Sequence, residues 1–182
     1  MRLTLDACVL YPNVLRSLLL GVAELGHFEP VWSPRILEEW ARATIKLGPE
    51  GEAQARGEIA VLRAAWPGAE VPPRAADMAR LWLDDPDDIH VLATAIASSS
   101  DAIVTLNAKD FPRGVLREEG LERLSPDEVL MVAWGVDGAR VTAMAVQVFR
   151  KVQADLGIEI TLRGLMKRAR VPRLGKALFG RA

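Results

Sequence analysis

The stretch "DDPDDIHVLATAIASSSDAIVTLNAKD", residues 84–110, joins the two elements whose patterns decide the fold class. Four aspartates within five positions lead into an apolar helical pattern over residues 86–99. A strand pattern with β-branched residues, "DAIVTL", follows over residues 101–106. A helix that runs directly into a buried strand is typical of a parallel sheet with helical crossovers, so this stretch favours an α/β fold.

The same alternation of helix and strand extends to both sides of this stretch. Further strand patterns are "RLTL" (2–5), "FEPVW" (28–32) and "LERL" (121–124). The helical patterns between the strands lie at 14–25, 33–47, 50–65 and 75–83. We therefore expect an α/β domain over residues 1–125, with a central parallel sheet covered by helices. Residues 126–182 are expected to form a helical C-terminal extension.

Charge is distributed unevenly along the chain. Residues 160–182 contain seven basic residues and no acid, whereas the formal net charge of the whole protein is −1. An acidic body with a basic tail indicates a polyanionic partner. A solvated helix face that ends in a frayed terminus is the alternative explanation.

Composition limits the cell compartment and the class of protein. The single cysteine, Cys8, excludes an intrachain disulfide framework and fits a reducing compartment. The longest apolar runs, such as residues 129–136, are too short to span a bilayer. The N-terminal residues lack the pattern of a signal peptide. We expect a cytoplasmic protein with no membrane partner.

The aspartate cluster has a structural explanation that covers only part of it. Asp85 can cap a helix that begins at Pro86, and Asp87 and Asp88 can oppose the positive end of the helix dipole. Each such carboxylate stabilises the helix by about 0.3–1 kcal/mol. Asp88 also falls on the apolar stripe of the helix, one turn before Leu92. A carboxylate on a buried stripe needs an ion pair, hydrogen bonds or a bound cation.

A second acidic position lies in the helix "SPRILEEWARATIKL" (33–47). Glu38 lies opposite the apolar face, whereas Glu39 lies at its border, where a carboxylate can reach inward. Glu39 is therefore the candidate functional residue. A border salt bridge with Arg35 or Arg42 is the alternative.

Acidic side chains also follow two of the predicted strands. Asp6 ends the first strand, and "TLNAKD" contains the end of the strand at 101–106. Ligands of open parallel sheets bind beyond the carboxyl ends of the strands, so these acids are expected to converge with Asp88 and Glu39. Carboxylates without a cysteine or histidine cluster select hard cations, which indicates Mg²⁺ or Mn²⁺.

These segments together resemble the PIN-domain ribonucleases, whose bacterial members include VapC-type toxins. The resemblance covers roughly residues 1–125. It is carried by "LDACVLYP" with Asp6, "SPRILEEW" with Glu39, "DPDDIHVLATA" with Asp88, and "IVTLNAKDFP" with Asn107 and Asp110. Many members of the family carry aspartate where this chain has Asn107, so either Asn107 or Asp110 supplies the fourth position.

The resemblance implies a PIN-like three-layer α/β/α fold and a metal-dependent endoribonuclease, the toxin of a type II toxin–antitoxin pair. The implied catalytic residues are Asp6, Glu39, Asp88 and Asp110, and the implied metal ligands are Asp6, Asp88, Asn107 and Asp110. Thr105 is expected to support a carboxylate or a water. RNA is the implied substrate, a small antitoxin the implied partner, and a homodimer the implied assembly.

An acidic cleft repels phosphate, so the substrate needs basic groups nearby. We expect the basic cluster of residues 163–181 to hold the RNA backbone. The four residues assigned to RNA binding are Arg163, Lys167, Arg168 and Arg170.

Rival functions are also considered. A catalytically silent RNA-binding or protein-interaction module on the same scaffold is the main alternative, and a receiver-type phosphoacceptor domain is another. A Ser/His/Asp hydrolase is disfavoured, because His27 and His90 are expected at the surface, away from the acids. The five tryptophans are interpreted as core or interface packing.

Overall fold

The structure, a computed structural model, describes residues 1–157 and 159–180. The chain divides into two compact units. The first unit consists of Met1–Tyr11 and Glu29–Leu124, and the second of Pro12–Phe28 and Ser125–Ala182. An early segment therefore groups with the C-terminal helices. The domain boundaries at 1–125 and 126–182 stay a prediction.

The first unit is built on a four-stranded sheet. Its strands are β1 (Arg2–Leu5), β2 (Glu29–Val31), β3 (Ala102–Val104) and β4 (Glu122–Leu124). The strand order is β2-β1-β3-β4, and all three pairs are parallel. The predicted α/β class with a central parallel sheet is confirmed. Because β2 and β3 lie on opposite sides of β1, the strand order reverses direction at the boundary between β1 and β3.

Helices connect the strands of this unit, and we number all helices along the chain. They are α1 (Ala7–Leu10), α3 (Pro34–Ala43), α4 (Pro49–Ala65), α5 (Ala75–Arg80), α6 (Ile89–Ala97) and α7 (Arg113–Glu118). The sheet core is apolar on both faces: Leu3 and Leu5 of β1 and Ile103 and Val104 of β3 are fully buried. Near-continuous apolar strands of this kind are typical of parallel sheets.

Local sequence sets the start of α3, as predicted. The Ser33 hydroxyl accepts a hydrogen bond from the Ile36 amide (3.2 Å), and a proline occupies the first turn. Ile36 and Trp40 are buried on the inner face. Glu39 lies at the edge of the buried face, as expected from the helical period. Glu38, expected opposite that face, is hardly more exposed, since the two side chains are 35% and 37% exposed.

The chain departs from the predicted helix at residue 86. Pro86–Asp88 form a 3-10 turn, and α6 begins only at Ile89. Asp85 caps the turn by accepting a hydrogen bond from the Asp87 amide (2.9 Å). Side chains three residues apart eclipse in a 3-10 turn, so Asp85 and Asp88 project to the same side.

His90 does not lie at the surface, and the sequence-based expectation for it was wrong. Residues 90–95 of α6 are all buried. A helix buried on every side has no solvent face, so the position of a residue opposite the apolar stripe does not predict exposure.

The second unit is helical. Its helices are α2 (Asn13–Glu24), α8 (Pro126–Val136), α9 (Gly138–Leu156), α10 (Leu162–Arg168) and α11 (Pro172–Ala177). Helix α2 packs against α8 and α9. Its Gly21 allows close approach to α9, since a Cβ atom there would lie 2.7 Å from the Met144 sulfur. Among the described residues, no helix is both long and apolar enough to cross a bilayer.

Candidate metal centre

The centre of the site lies at the carboxyl ends of β1 and β3, where the strand order reverses. The Asp6 amide donates to the Val104 carbonyl (3.1 Å), and the Thr105 amide donates to the Leu124 carbonyl (3.1 Å). Backbone hydrogen bonds to neighbouring strands thus fix Asp6 and Thr105. Such a switch point is the common ligand site of open parallel sheets.

Two donors hold one oxygen of the buried Asp6 carboxylate. The Thr105 hydroxyl donates to Oδ2 (2.7 Å), and the Cys8 thiol donates to the same atom (3.0 Å). The Thr105 hydroxyl also accepts from the Asn107 amide (2.9 Å). Within the described residues, no hydrogen bond reaches Oδ1 of Asp6. The carboxylate is therefore oriented through one oxygen while the other remains available to a ligand.

Three further carboxylates form a tight cluster. Asp85, Asp88 and Asp110 each place one oxygen within 4.8 Å of the other two. Asp85 and Asp88 come from the 3-10 turn before α6, and Asp110 comes from the loop after β3. Segments distant in sequence thus bring their charges to one place.

The pKa of Asp88 links this cluster to the other predicted acids. Burial, and after it the negative charges of neighbouring carboxylates, together raise the pKa of Asp88 from 3.8 to about 6. Those neighbours are Asp6, Asp110, Asp85 and Glu39. Of the four predicted catalytic residues, Asp88 and Asp110 lie in the cluster with Asp85, and Asp6 and Glu39 act on the pKa of Asp88 through their charges. Their catalytic roles stay a prediction.

The loop after β3 holds Asn107 and Asp110 side by side. The Asn107 side-chain amide donates to Oδ2 of Asp110. Arg123 fixes the loop by donating to the carbonyl oxygens of Ala108 and Phe111, the latter at 2.8 Å. Asp110 places an oxygen in the carboxylate cluster, whereas Asn107 acts on Asp110 as a donor. Their roles as ligands stay predictions.

Glu39 lies between a cation and a buried imidazole. Arg35 Nε is 3.2 Å from Glu39 Oε1, which is the border salt bridge considered from the sequence. His90 Nε2 lies 2.8 Å from the same oxygen, although neither ring nitrogen makes a hydrogen bond of good geometry. The Glu39 side chain is 35% exposed and can still reach a bound ligand. Arg42 pairs with Glu38 instead.

A groove of about 760 Å³ lies beside Glu39. Its lining residues are Pro34, Arg35, Glu38, Glu39, Arg42, Arg63 and Asp87. Hydrogen bonds from Arg56 and Arg42 lower the pKa of Glu38 to about 2, so this carboxylate is ionised at neutral pH. Three arginines of the first unit, Arg35, Arg42 and Arg63, therefore line the same groove as Glu39 and Asp87.

The predicted RNA-binding residues belong to the second unit. The side chains of Arg163, Lys167, Arg168 and Arg170 are exposed on α10 and the turn after it. Asp127 fixes the start of α11 by accepting from the amides of residues 173 and 174 at 2.9 and 3.0 Å. Arg181 of the basic cluster lies outside the described residues. RNA binding by this cluster stays a prediction.

Sequence reasoning missed Asp85 as a cluster member, and it considered Arg35 and Arg42 only as salt-bridge partners of Glu39, not as part of a groove. Asp85 was interpreted only as a helix cap, a role that it also fills. The spacing of the arginines along the sequence could have indicated that they share a helix face. Arg35 and Arg42 are seven residues apart on α3, and Arg56 and Arg63 are seven apart on α4, a spacing that aligns side chains on one face of a helix.

Cys8 next to Asp6 provides a test of this geometry. Burial and then the charge of Asp6 raise the pKa of the Cys8 thiol to about 12. Since the thiolate is the reactive species, we expect iodoacetamide at pH 8 to alkylate native Cys8 at least about tenfold more slowly than the urea-unfolded chain. Asp6→Asn should speed the native reaction by removing the charge. Equal rates for native and unfolded wild type would contradict this arrangement.

Comparison with known proteins places the fold and site in a family. The family model of the PIN domain matches residues 2–109, more than half of the chain. The chain belongs to the PIN-domain family, a family of nucleases. The match includes Asp6, Glu39, Asp88 and Asn107 and ends one residue before Asp110. No curated protein and no solved structure matches the chain.

Proposed function

We propose that the protein is a metal-dependent endoribonuclease that hydrolyses RNA phosphodiester bonds. The observation that carries this proposal is the convergence of carboxylates on Asp88. Burial of Asp88 and the charges of the neighbouring carboxylates raise its pKa to about 6. Several acids at one sheet edge repel one another, and a divalent cation relieves that repulsion. Membership of a nuclease family supports the same conclusion.

The donor set fits a hard divalent cation. The cluster offers carboxylate oxygens of Asp85, Asp88 and Asp110, with Oδ1 of Asp6 nearby, and none of the clustered groups is a thiolate or an imidazole. Oxygen donors of this kind suit Mg²⁺ or Mn²⁺. We assign the ion to Asp6, Asp88 and Asp110, with Asn107 as the neutral alternative at the fourth position. When bound, such an ion supplies an activated water and stabilises charge on the phosphate oxygens.

The remaining residues orient this set. Thr105 and Cys8 fix the plane of the Asp6 carboxylate through Oδ2. We assign to Glu39, which is paired with Arg35 and 35% exposed, the role of accepting a proton in the reaction. Asn107 holds Asp110 in place through its side-chain amide. These contacts preorganise the acids, as a metal nuclease site requires.

Cleavage of single-stranded RNA by the full chain tests the proposal. Protein stripped with EDTA is expected to be inactive, and Mn²⁺ or Mg²⁺ should restore activity. Asp6→Asn should remain inactive in the presence of either metal. RNA binding without cleavage under all metal conditions would favour the catalytically silent module and contradict the nuclease.

The salt dependence of RNA binding tests the C-terminal basic cluster and, separately, the arginines of the groove. Replacing Arg163, Lys167, Arg168 and Arg170 with glutamine should weaken binding and reduce the slope of log K against log salt by about 0.7 for each lost phosphate contact. The positions are exposed, so the fold is retained. An unchanged slope would reject the C-terminal cluster. Arg42→Gln with Arg63→Gln applies the same test to the groove.

We further propose that the protein is the toxin of a type II pair, with VapC-like character and a cytoplasmic location. Support comes from the family resemblance. A small antitoxin would block the acidic site, and a homodimer would be the working assembly. Expression should arrest growth, and coexpression of a short reading frame beside the gene should relieve the arrest. Unimpaired growth on expression of an RNA-cleaving protein would reject the toxin role.

A further inference from the structure

Trp82 is the exception among the five tryptophans. Trp32 and Trp40 are buried and Trp66 and Trp134 half-buried, but the Trp82 side chain is 68% exposed. Of the two roles expected for the tryptophans, core or interface packing, the core role does not hold for Trp82. A large aromatic face turned to solvent next to a proposed nucleic-acid site is available for binding.

The backbone that carries Trp82 is fixed on both sides. Leu81 and Leu83 are buried, so the side chains alternate inward, outward and inward along an extended segment. Before this segment, Arg80 forms a bidentate pair with Glu119 (2.7 and 2.8 Å) and a further bond to Asp77 (3.0 Å). The indole is thus presented by an ordered backbone, which reduces the entropy lost when a ligand binds.

The segment runs directly into the acid cluster. Trp82 precedes Asp85 by three residues, and Asp85 contributes an oxygen to the cluster. Three residues of extended chain span at most about 11 Å, which limits the distance between the two Cα atoms. A strand whose phosphate lies at the acids can therefore place a neighbouring base against the indole.

We propose that Trp82 is a stacking platform for an unpaired base of the RNA substrate, a subsite beside the metal centre. The inference rests on the proposed ribonuclease function and adds the requirement for single-stranded RNA. Aromatic faces bind bases of any sequence without charge, so this contact offsets the repulsion between the acids and the RNA backbone. A paired base inside a duplex cannot make the contact.

Binding of two oligomers of equal length tests the platform. One is a single-stranded octaribonucleotide of mixed sequence, and the other is an abasic sugar-phosphate oligomer of the same charge. The Asp88→Asn background prevents cleavage, and indole fluorescence and competition report binding. Trp82→Ala is compared with Trp82→Phe, which keeps an aromatic ring. Val61→Ala removes another exposed apolar side chain of the same unit and is the matched control.

Trp82→Ala should weaken binding of the base-bearing oligomer about 5- to 100-fold and leave binding of the abasic oligomer unchanged. Trp82→Phe should retain most of the affinity, and Val61→Ala all of it. Equal losses on both oligomers, or no loss on either, would overturn the platform. A change of self-association in Trp82→Ala with unaltered RNA binding would assign the indole to a protein contact instead and also overturn it.

The failure of this inference can be distinguished from failure of the proposed function. If wild type cleaves RNA in Mn²⁺ and Trp82→Ala cleaves it at the same rate, the platform alone is rejected. Absence of both RNA binding and RNA cleavage in the wild type rejects the ribonuclease, and the platform with it.

Discussion

Asp88→Asn is expected to abolish RNA cleavage while making the metal-free protein more stable at neutral pH. Activity should fall about 100-fold or more, because the substitution removes a carboxylate at the centre of the acid cluster. The gain in stability follows from removal of a charge that burial and four neighbouring acids disfavour. Asp88 makes no side-chain cap to α6, so no hydrogen bond of that kind is lost.

The pH dependence of this gain has a definite sign. The pKa of Asp88 is about 6 in the folded protein against an ordinary value of 3.8, so the folded state binds more protons between these values. The contribution of Asp88 to the free energy of unfolding of the wild type is therefore fully present at low pH and is lost as the pH rises through 6. The advantage of Asp88→Asn should be on the order of 1 kcal/mol at pH 7, since Asp88 is only half-buried, and should vanish near pH 4.

Urea unfolding in EDTA at several pH values, with RNA cleavage in Mn²⁺, measures both effects. Asp84→Asn is the matched control, because Asp84 is exposed and does not belong to the carboxylate cluster. It should retain activity and show no gain in stability. Full activity in Asp88→Asn, or a loss of stability at pH 7, would contradict the arrangement of acids described above.

Thr105→Val should reduce both stability and catalysis. The buried Thr105 hydroxyl donates to Asp6 (2.7 Å) and accepts from the Asn107 amide (2.9 Å), and valine can do neither. We expect a loss of about 1–3 kcal/mol in the free energy of unfolding from the unsatisfied groups. Cleavage should fall about 10- to 100-fold, with weaker Mn²⁺ binding, because the Asp6 carboxylate loses its orientation.

Thr4→Val separates the positioning role of Thr105 from its structural one. Thr4 is also buried, and its hydroxyl bonds to Ser100 (2.8 Å) rather than to an acid. This variant should lose stability while it keeps wild-type cleavage and Mn²⁺ affinity. If Thr105→Val behaves like Thr4→Val in both functional measurements, Thr105 supports only the fold.

Elements with local signals were predicted well from the sequence. The start of α3 follows from Ser33 and Pro34, and at the start of α8 the structure contains a capping box of Ser125 and Glu128. Capping depends on residues within one turn of the helix, so a short sequence pattern is enough to predict where the helix starts. The strand β1 and the acid that follows it were likewise evident from alternation and position.

The geometry around the acids was less accessible, because it depends on tertiary context. A helix from residue 86 and a 3-10 turn followed by a helix have nearly the same local sequence preference. Only the second aligns Asp85 with Asp88. His90 was misplaced for a related reason: the hydrophobic period identifies one buried face, whereas α6 is buried on all sides. Neither feature is encoded in residues close along the chain.

Trp82 was not singled out from the sequence. Tryptophan is usually well buried, and all five tryptophans were interpreted together as core or interface packing. The alternation of an extended segment places the leucines inside and the indole outside. The sequence did not reveal that residues 81–83 lie outside helix α5, which ends at Arg80.

Calorimetric titration of Mn²⁺ into EDTA-stripped protein at pH 6 tests most directly whether these acids hold a divalent cation. Wild type is expected to bind Mn²⁺ with release of a fraction of a proton from Asp88, seen as a dependence of the heat on the buffer. Asp88→Asn should lose both the binding and the proton release. Absence of Mn²⁺ binding in the wild type, or binding that is unchanged in Asp88→Asn, would contradict a metal centre built from these carboxylates.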